Sequence, residues 1–366
     1  MVDTEFLIGL DFLGAGNLGD DVMVSGFLEG IKYLGLGKKL RWLRAICSGD
    51  RISQALRFPQ IEWIDGRNLI ERKAAIQSAA VVLGLGGTPF QMSVGDWLLK
   101  NLEEIISSKK ECVPFILVNA GSESEAGCEK IRIRQVMAGI KSISARDTDT
   151  LSILSEWRTN NTRPQLIQGA DLANISLPRM CEDHQPLGNR PYELGMILGC
   201  DTLGSADVEA VIKWIACDQR PVAWITCEVR NMAGCEYRIY RRNKHRFGGL
   251  LSWLWKPHVH LHRPKYHTCD LNALVAPFGL CKTVLSSRYH GLLSAAWSGC
   301  RVGGIARTSK IKWLCKQLNI PMIEPPITRE ALLTLERNSD IVKRSALNDL
   351  REAAIGGIAS LSLGEY

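Results

Sequence analysis

The sequence contains 12 cysteines in 366 residues, but no pair of them has the Cys-x-x-Cys spacing. This absence argues against a zinc ribbon or a dithiol redox motif. The first residues also lack the basic segment and small-residue cleavage site of a secretory signal. We therefore expect a cytoplasmic protein with reduced thiols, most of them small core residues, and no structural metal site.

Long apolar runs and internal repeats are missing too. The longest uncharged stretch, residues 74–95, is interrupted by glycines, glutamines and a proline, and so it does not predict a membrane-spanning helix. No zinc-finger spacing, RNP-like strand or basic helix supports nucleic-acid binding. With 46% hydrophobic and 23% charged residues, the composition is that of a folded globular chain, and the length suits two domains.

Positive charge is concentrated in one segment. The formal net charge is +7, and residues 236–267 hold five Arg, three Lys, five of the seven His and a single acid, Glu236. The same segment contains Trp253 and Trp255 within an apolar run. This mixture predicts an insertion that is either a solvated loop or a site for an anionic partner: a polyanion, a phosphate-bearing substrate or an anionic membrane surface.

Short apolar runs alternate with helical patterns along most of the chain. We expect strands at residues 6–10, 40–46, 61–64, 81–85, 114–119, 142–145, 164–168, 194–198, 222–227 and 283–285. Such alternation favours largely parallel sheets. A polar, proline-bearing connection near 182–192 predicts a domain boundary. The expected architecture is α/β with two Rossmann-like domains, residues 1–185 and 186–335, and a terminal helix within 336–366 that crosses back to the first domain.

A glycine-rich loop follows the first predicted strand. Residues 14–19 satisfy G-x-G-x-x-G before a helical pattern, a context in which backbone NH groups approach a phosphate. This favours a nicotinamide-dependent oxidoreductase, although the acid expected at the end of the second strand comes late, at Asp50. Asn17 and Asp20 suit sugar hydroxyls or helix capping better than a pyrophosphate. A capped turn without a ligand is the third interpretation.

A second group of candidate functional side chains lies within residues 284–296. There a strand pattern enters a helical pattern, with Arg288 and His290 at the junction. Ligands bind at the carboxyl edge of open parallel sheets. An arginine offers a planar fork to carboxylate or phosphate, and a histidine exchanges protons near neutrality. Together with Lys310 downstream, these residues predict an anionic substrate whose reaction needs a proton.

A set of short sequence motifs, in their order along the chain, resembles the polysaccharide pyruvyl transferase family. The resemblance rests on residues 14–20, residues 84–91, Arg146-Asp147, Ala170-Asp171 and Arg288-Tyr289-His290, and it continues through residues 298–305 to Lys310. It covers about residues 6 to 321. The sequence departs from the family pattern at Met92, where relatives often have Asp, and Asp96 lies one turn later.

The resemblance implies a fold similar to the GT-B glycosyltransferases, with a cleft between two domains. It also implies transfer of pyruvate from phosphoenolpyruvate onto a saccharide as a cyclic ketal. On this view His290 is the general acid, and Arg146, Arg288 and Lys310 bind the anionic donor. The residues expected to face the acceptor are Asn17, Gly19, Asp20, Gly86, Gly87, Thr88 and Asp171. No metal and no cofactor are required besides phosphoenolpyruvate as co-substrate, and magnesium dependence is left open.

Three other functions stay open. A GT-B-type glycosyltransferase would bind a nucleotide sugar, and an NAD-dependent oxidoreductase would use the loop at residues 14–19. A non-catalytic polysaccharide-binding protein is compatible with Met92. If the acceptor of a transferase is lipid-linked, segment 236–267 is expected to contact the anionic inner face of a membrane. The sequence leaves the acceptor sugar and the oligomeric state open.

Overall fold

The protein forms two compact units. The computed structural model describes residues 5–10, 12–38, 42–92, 95–158, 164–182, 186–199, 203–228, 235–247, 258–263 and 270–365. The first unit comprises the described residues of Met1–Gly16, Asp20–Ser176 and Asn348–Tyr366. The second comprises those of Asn17–Gly19 and Leu177–Leu347. The connection expected near 182–192 lies in chain that belongs to the second unit.

The first unit contains a seven-stranded parallel sheet. Its strands are β1 (Glu5–Ile8), β2 (Trp42–Cys47), β3 (Glu62–Asp65), β4 (Val81–Leu85), β5 (Phe115–Ala120), β6 (Ser142–Ala145) and β7 (Gln165–Gln168). They are ordered β3-β2-β1-β4-β5-β6-β7. The central strands β4 and β5 are buried along their whole length, as expected of parallel strands covered on both faces.

The second unit contains another sheet that is parallel except at one short strand. Its strands are β8 (Tyr192–Ile197), β9 (Val222–Ile225), β10 (Val259–His262), β11 (Cys281–Ser286), β12 (Arg301–Ile305), β13 (Met322–Ile323) and β14 (Asp340–Ile341). The main order is β10-β9-β8-β11-β12-β13, and β14 pairs antiparallel with β12. The order reverses direction between β8 and β11, where ligands bind in doubly wound folds.

Helices connect the strands throughout. They are α1 (Leu18–Tyr33), α2 (Arg51–Arg57), α3 (Leu69–Ser78), α4 (Trp97–Ser108), α5 (Lys130–Ala138), α6 (Thr148–Trp157), α7 (Ala173–Met180), α8 (Ser205–Ala216), α9 (Glu236–Asn243), α10 (Asn272–Val275), α11 (Tyr289–Trp297), α12 (Ser309–Gln317), α13 (Arg329–Asn338) and α14 (Arg344–Ala359). Several begin at a side chain that accepts a backbone N–H of the first turn, as Asn68, Asp147 and Thr328 do. Among the described residues, none of these helices has the length and apolarity needed to cross a membrane.

The prediction of a largely parallel α/β fold is confirmed by both sheets. The C-terminal part of the chain forms two helices, α13 and α14, which are separated by β14. The break occurs where Arg301 Nε donates to the Ser339 carbonyl at 2.9 Å and Val302 pairs with Asp340. A strand pairing made outside the local sequence therefore interrupts the helical periodicity.

Candidate functional site

Gly14, the first residue of the glycine loop, packs against the loop that follows β2. Gly14 has a φ of +76°, and its carbonyl accepts the Asp50 N–H at 2.8 Å. A Cβ at Gly49 would overlap the Gly14 carbonyl. Asp50 begins α2, where its carboxylate accepts from Ser53 N at 3.0 Å and Ser53 Oγ at 2.6 Å. Loop packing and helix capping therefore explain these residues without a bound dinucleotide.

The turn after β4 contains three residues that were predicted to face the acceptor substrate. Arg146, which was predicted to bind the donor, lies beside this turn. Gly86 and Gly87 both have positive φ, and Gly87 N donates to the Met23 sulfur at 3.4 Å. Arg146 is only 2% exposed. Its Nη1 lies 3.4 Å from the Gly87 carbonyl and 3.5 Å from Thr88 Oγ1. The structure thus brings Gly87, Thr88 and Arg146 together, with the guanidinium almost fully buried.

Asp147 and Asp171, the acids of the R-D and A-D pairs, both begin helices. Asp147 Oδ1 accepts from Thr150 N at 2.7 Å, and its Oδ2 lies 3.2 Å from Arg146 Nε. Asp171, expected to face the acceptor, is buried, and its Oδ1 accepts from Ala173 N at 2.9 Å. Each acid thus stabilises the first turn of the helix that follows its strand.

Met92 and Asp96, where the family pattern is broken, have separate surroundings. Met92 packs against the buried core cluster of the first unit. Asp96 precedes α4 and forms ion pairs with Lys100 at 3.0 Å and Arg132 at 3.1 Å. These charge-assisted contacts lower the pKa of Asp96 below its ordinary value. The carboxylate is thus engaged by two cations of the first unit.

The two acids at the start of α1 are also buried. Asp20, predicted to face the acceptor, is 9% exposed. Asp21 is more deeply enclosed and accepts from Gln54 Nε2 at 2.7 Å and Arg57 Nη1 at 2.6 Å. Burial raises the pKa of Asp21 to about 6, although Arg57 and Gln54 oppose the increase. Asp21 thus joins α1 to α2 within the first unit.

Two predicted acceptor residues, Asn17 and Gly19, belong to the second unit. Asn17 forms an antiparallel bridge with Glu228, and Leu18 N donates to the Cys227 carbonyl at 2.8 Å. Gly19 N donates to Asn17 Oδ1 at 3.0 Å, which closes the first turn of α1. Beside it lies His290, whose imidazole would overlap a Cβ at residue 19. The structure therefore brings Gly19 and His290 together.

Arg288 and His290 lie at the carboxyl end of β11. Arg288 precedes α11, and its N–H donates to Ser286 Oγ at 3.0 Å. His290 is the second residue of α11, and its ring meets that of Tyr289 edge-on, with centroids 5.2 Å apart. The strand-to-helix junction expected from the sequence is therefore present. It sets a cation and an imidazole at the sheet edge that binds ligands in this class of fold.

The Arg288 guanidinium contacts two carboxylates. Its Nε donates to Glu236 Oε1 at 2.6 Å, and its Nη2 lies 3.4 Å from Glu228 Oε2. Glu236 is fully buried, whereas the Arg288 side chain is 16% exposed. Burial raises the pKa of Glu236, and the Glu228 charge adds to this effect while Arg288 opposes it.

Further positive groups follow the neighbouring strand β12. Arg307 Nε donates to the Ser287 carbonyl at 2.6 Å, next to Arg288 in the chain. Ser287 in turn accepts from Gly199 N at 2.9 Å, so the ends of β8, β11 and β12 are joined. Lys310 is the second residue of α12 and is half-buried. Arg307 is thus a cation near this edge to which the sequence analysis gave no role.

The sequence analysis also gave no role to two acids at this edge, Glu228 and Glu236. Glu228 directly follows a strand pattern, which is where site residues collect in parallel sheets. Glu236 is the only acid in the basic segment 236–267, and such an isolated acid is a signal for a specific partner. That partner is 52 residues away in the sequence, so the pattern alone does not identify it.

The basic insertion 236–267 is only partly described. Its first part forms α9, and its His258, His260 and His262 lie at or within β10, where Tyr192 packs on the rings of His260 and His262. Trp253 and Trp255 lie outside the described residues. Within the described part of the chain, no group of three or more His, Cys, Asp or Glu side chains is placed to hold a metal ion.

Comparisons with known proteins concern both family and fold. The sequence model of a family described as polysaccharide pyruvyl transferase matches residues 17–309. No curated protein sequence matches the chain. A candidate UDP-N-acetylglucosamine 2-epimerase from Listeria monocytogenes superimposes with a TM-score of 0.62 at 12% identity, over 99% of this chain and 96% of that chain.

Two further solved structures are similar over nearly the whole chain. The UDP-GlcNAc 2-epimerase from Methanocaldococcus jannaschii has a TM-score of 0.60 at 11% identity, over 98% of this chain and 99% of that chain. HepE from Anabaena, in complex with UDP-glucose, has a TM-score of 0.53 at 10% identity, over 99% and 94%. At such identities the likeness concerns the fold alone, and it confirms the predicted GT-B-like fold class with two Rossmann-like domains.

Proposed function

The chain belongs to the polysaccharide pyruvyl transferase family, and on that premise we propose that it moves pyruvate from phosphoenolpyruvate onto two hydroxyls of a saccharide as a cyclic ketal. The observation that supports the proposal best is the placement of Arg288 and His290 at the carboxyl end of β11. A reaction on an anionic enol needs a cation to hold the donor and an acid to protonate carbon. This junction offers both.

The proposed reaction begins with proton transfer from His290 to carbon 3 of phosphoenolpyruvate. Carbon 2 then has oxocarbenium character, and the first sugar hydroxyl adds to it and returns a proton to His290. The bond between carbon 2 and the phosphate oxygen breaks next, which regenerates an electrophilic carbon. The second hydroxyl adds, and its proton leaves with inorganic phosphate. The products are the ketal, whose methyl group carries the first proton, and phosphate.

The donor's charge is matched by Arg288 and Lys310 in this proposal. Arg288 would bind the carboxylate or phosphate, and Lys310 at the start of α12 would offset the charge of the departing phosphate. Arg146 was expected to bind the donor as well. Its burial against Gly87 and Thr88 supports a different contribution, namely that it holds the turn after β4 in place.

The acceptor is proposed to be a sugar of a polysaccharide or of its lipid-linked precursor. Asn17, Gly19, Asp20 and the turn at residues 86–88 stay the candidates for its binding. Asp171 contributes by holding the start of α7, since its carboxylate is bonded to Ala173 N. For a lipid-linked acceptor, segment 236–267 would contact an anionic membrane. Anion-dependent sedimentation with liposomes would support this contact, and equal sedimentation with neutral vesicles would contradict it.

Phosphate release from phosphoenolpyruvate tests the proposal directly. The assay compares galactose-, glucose- and N-acetylmannosamine-containing acceptors, with the wild type and His290→Gln. We expect acceptor-dependent release that is lost in His290→Gln and retained in the control His260→Gln, whose imidazole is exposed on β10. Full turnover by His290→Gln would remove the general-acid role.

The glycosyltransferase alternative predicts another outcome of the same series. A uridine nucleotide sugar would bind the wild type by calorimetry, while phosphoenolpyruvate would neither bind nor release phosphate with any acceptor. Binding of phosphoenolpyruvate without nucleotide binding would exclude that alternative. A fluorescence change on adding a nicotinamide cofactor would point to the oxidoreductase instead.

A further inference from the structure

Glu236 is a fully buried glutamate, which is rare in proteins. It is the first residue of α9 and has no exposed surface. Its backbone carbonyl accepts from Trp224 Nε1 at 2.9 Å, which fixes the start of the helix to β9. Burying a carboxylate is costly unless a charged partner compensates it. So complete a burial of this acid therefore indicates a specific interaction.

The interaction is with Arg288. Glu236 Oε1 accepts from Arg288 Nε at 2.6 Å, whereas Glu236 Oε2 is buried and has no hydrogen-bond partner among the described residues. The carboxylate is thus aimed at one edge of the guanidinium. Gly199 closes another side, because a Cβ there would overlap Arg288 Nε. These contacts at Nε, together with Glu228 Oε2 at 3.4 Å from Nη2, restrict the orientation of the planar guanidinium.

We propose that Glu236 is a positioning residue, which fixes the Arg288 guanidinium at the carboxyl edge of β11 in the orientation that binds the anionic donor. The inference rests on the proposed function for its consequence in catalysis. It gives the start of the basic insertion a role in the donor site. The only acid of segment 236–267 holds the candidate donor-binding arginine, so α9 forms part of this site.

A second ion pair of the same segment provides a matched control. Arg246 follows α9 and forms a bidentate ion pair with Glu209 of α8. Its Nη1 donates to Oε2 at 2.8 Å, and its Nη2 donates to Oε1 at 2.9 Å. The Glu209 side chain is 43% exposed. Loss of this pair loosens the same segment without changing the Arg288 contact. Glu209→Gln therefore separates general loosening of the segment from misorientation of Arg288.

The kinetic experiment compares Glu236→Gln, Glu236→Ala and Glu209→Gln. We expect Glu236→Ala to raise the KM for phosphoenolpyruvate about tenfold or more and to leave the acceptor KM within about twofold. Glu236→Gln should recover much of the loss, because the amide oxygen still accepts from Nε. Glu236→Ala should add little in an Arg288→Ala background, since the two residues act as a unit. Equal changes in both KM values, additive effects or a matching loss in Glu209→Gln would overturn the proposal.

Chemical labelling tests the positioning without any assay of turnover. Phenylglyoxal reacts with arginine, and peptide mass spectrometry measures the labelling rate at Arg288. The rate should be several-fold higher in Glu236→Ala than in the wild type, closer to the wild-type rate in Glu236→Gln, and unchanged in Glu209→Gln. An unchanged rate at Arg288 would overturn the inference even if the transferase activity is established. If the Glu236 variant is labelled faster but the wild type does not use phosphoenolpyruvate, the proposed function is rejected. The inference that Glu236 positions Arg288 is then retained.

Discussion

Gly19 lies directly against the imidazole of His290, so that a Cβ at residue 19 would overlap Nδ1 and its neighbouring ring atoms. The position is set on one side by the hydrogen bond from Leu18 N to the Cys227 carbonyl. On the other side, His290 is held in the first turn of α11. The third glycine of the G-x-G-x-x-G pattern is therefore explained by close approach to an imidazole in the second unit.

Gly19→Ala is expected to lower the transfer rate by about tenfold or more, because the methyl group must displace the His290 ring from its position. Alanine would otherwise favour the first turn of α1 by about 0.5–1 kcal/mol. The measurement is phosphate release at saturating substrates, with the thermal midpoint recorded for each variant. Gly188→Ala is the control, since no atom of the described residues lies within 4 Å of the added Cβ. Equal rates in the two variants would show that the contact has no part in the reaction.

Arg146→Ala is expected to destabilise the protein by about 3–5 kcal/mol, because it removes the cation that pairs with the buried Asp147 carboxylate. Arg146→Lys should be damaging too, since one ammonium group cannot reach Gly87, Thr88 and Asp147 as the guanidinium does. Urea unfolding gives the free-energy change. Arg158→Ala, at the end of α6, is the control and should change the stability by less than about 1 kcal/mol.

The same variants separate two roles for Arg146. If Arg146 only holds the turn after β4, Arg146→Lys should lower stability and raise the KM for the acceptor more than the KM for phosphoenolpyruvate. A stable Arg146→Lys protein with a raised KM for phosphoenolpyruvate alone would support the donor-binding role that the family resemblance implies.

How far the sequence predicts the site depends on the distance over which each contact forms. Arg288 and His290 are two residues apart and follow an apolar strand, so local patterning is enough to place them at a sheet edge. The partner of Arg288 is not local, because Glu236 comes from another connection of the sheet. Its burial depends on the packing of α9 against β9, and sequence periodicity does not reveal this packing. The glycine loop shows the converse, since its pattern suggests a dinucleotide whereas the contacts of Gly14 and Asp50 are with neighbouring loops.

The stability of the first unit should depend on pH through Asp21. Its pKa is about 6 in the folded protein and 3.8 in the unfolded chain, so the folded state binds the proton more tightly. The resulting stabilisation is present below about pH 4 and is lost as the pH rises through about 6. The loss amounts to about 3 kcal/mol at most. Between pH 4 and pH 6, the free energy of unfolding of the wild type, measured in urea, should therefore fall relative to that of Asp21→Asn. A wild type that gains stability relative to Asp21→Asn over this range would contradict the buried, proton-binding role.

Two adjacent glycines of α14 should respond in opposite ways to alanine. Asn119, the penultimate residue of β5, has a φ of +51°, and its Nδ2 donates to the Ala354 carbonyl of α14 at 3.1 Å. A Cβ at Gly357 would overlap Asn119 Oδ1, whereas a Cβ at the exposed Gly356 would meet no atom within 4 Å in the described part of the chain. Gly357→Ala should therefore destabilise the first unit by about 1–3 kcal/mol, and Gly356→Ala should stabilise it by about 0.5–1 kcal/mol. Urea unfolding of both variants checks this difference in sign. If both substitutions stabilise the protein, the close approach of α14 to Asn119 does not constrain residue 357.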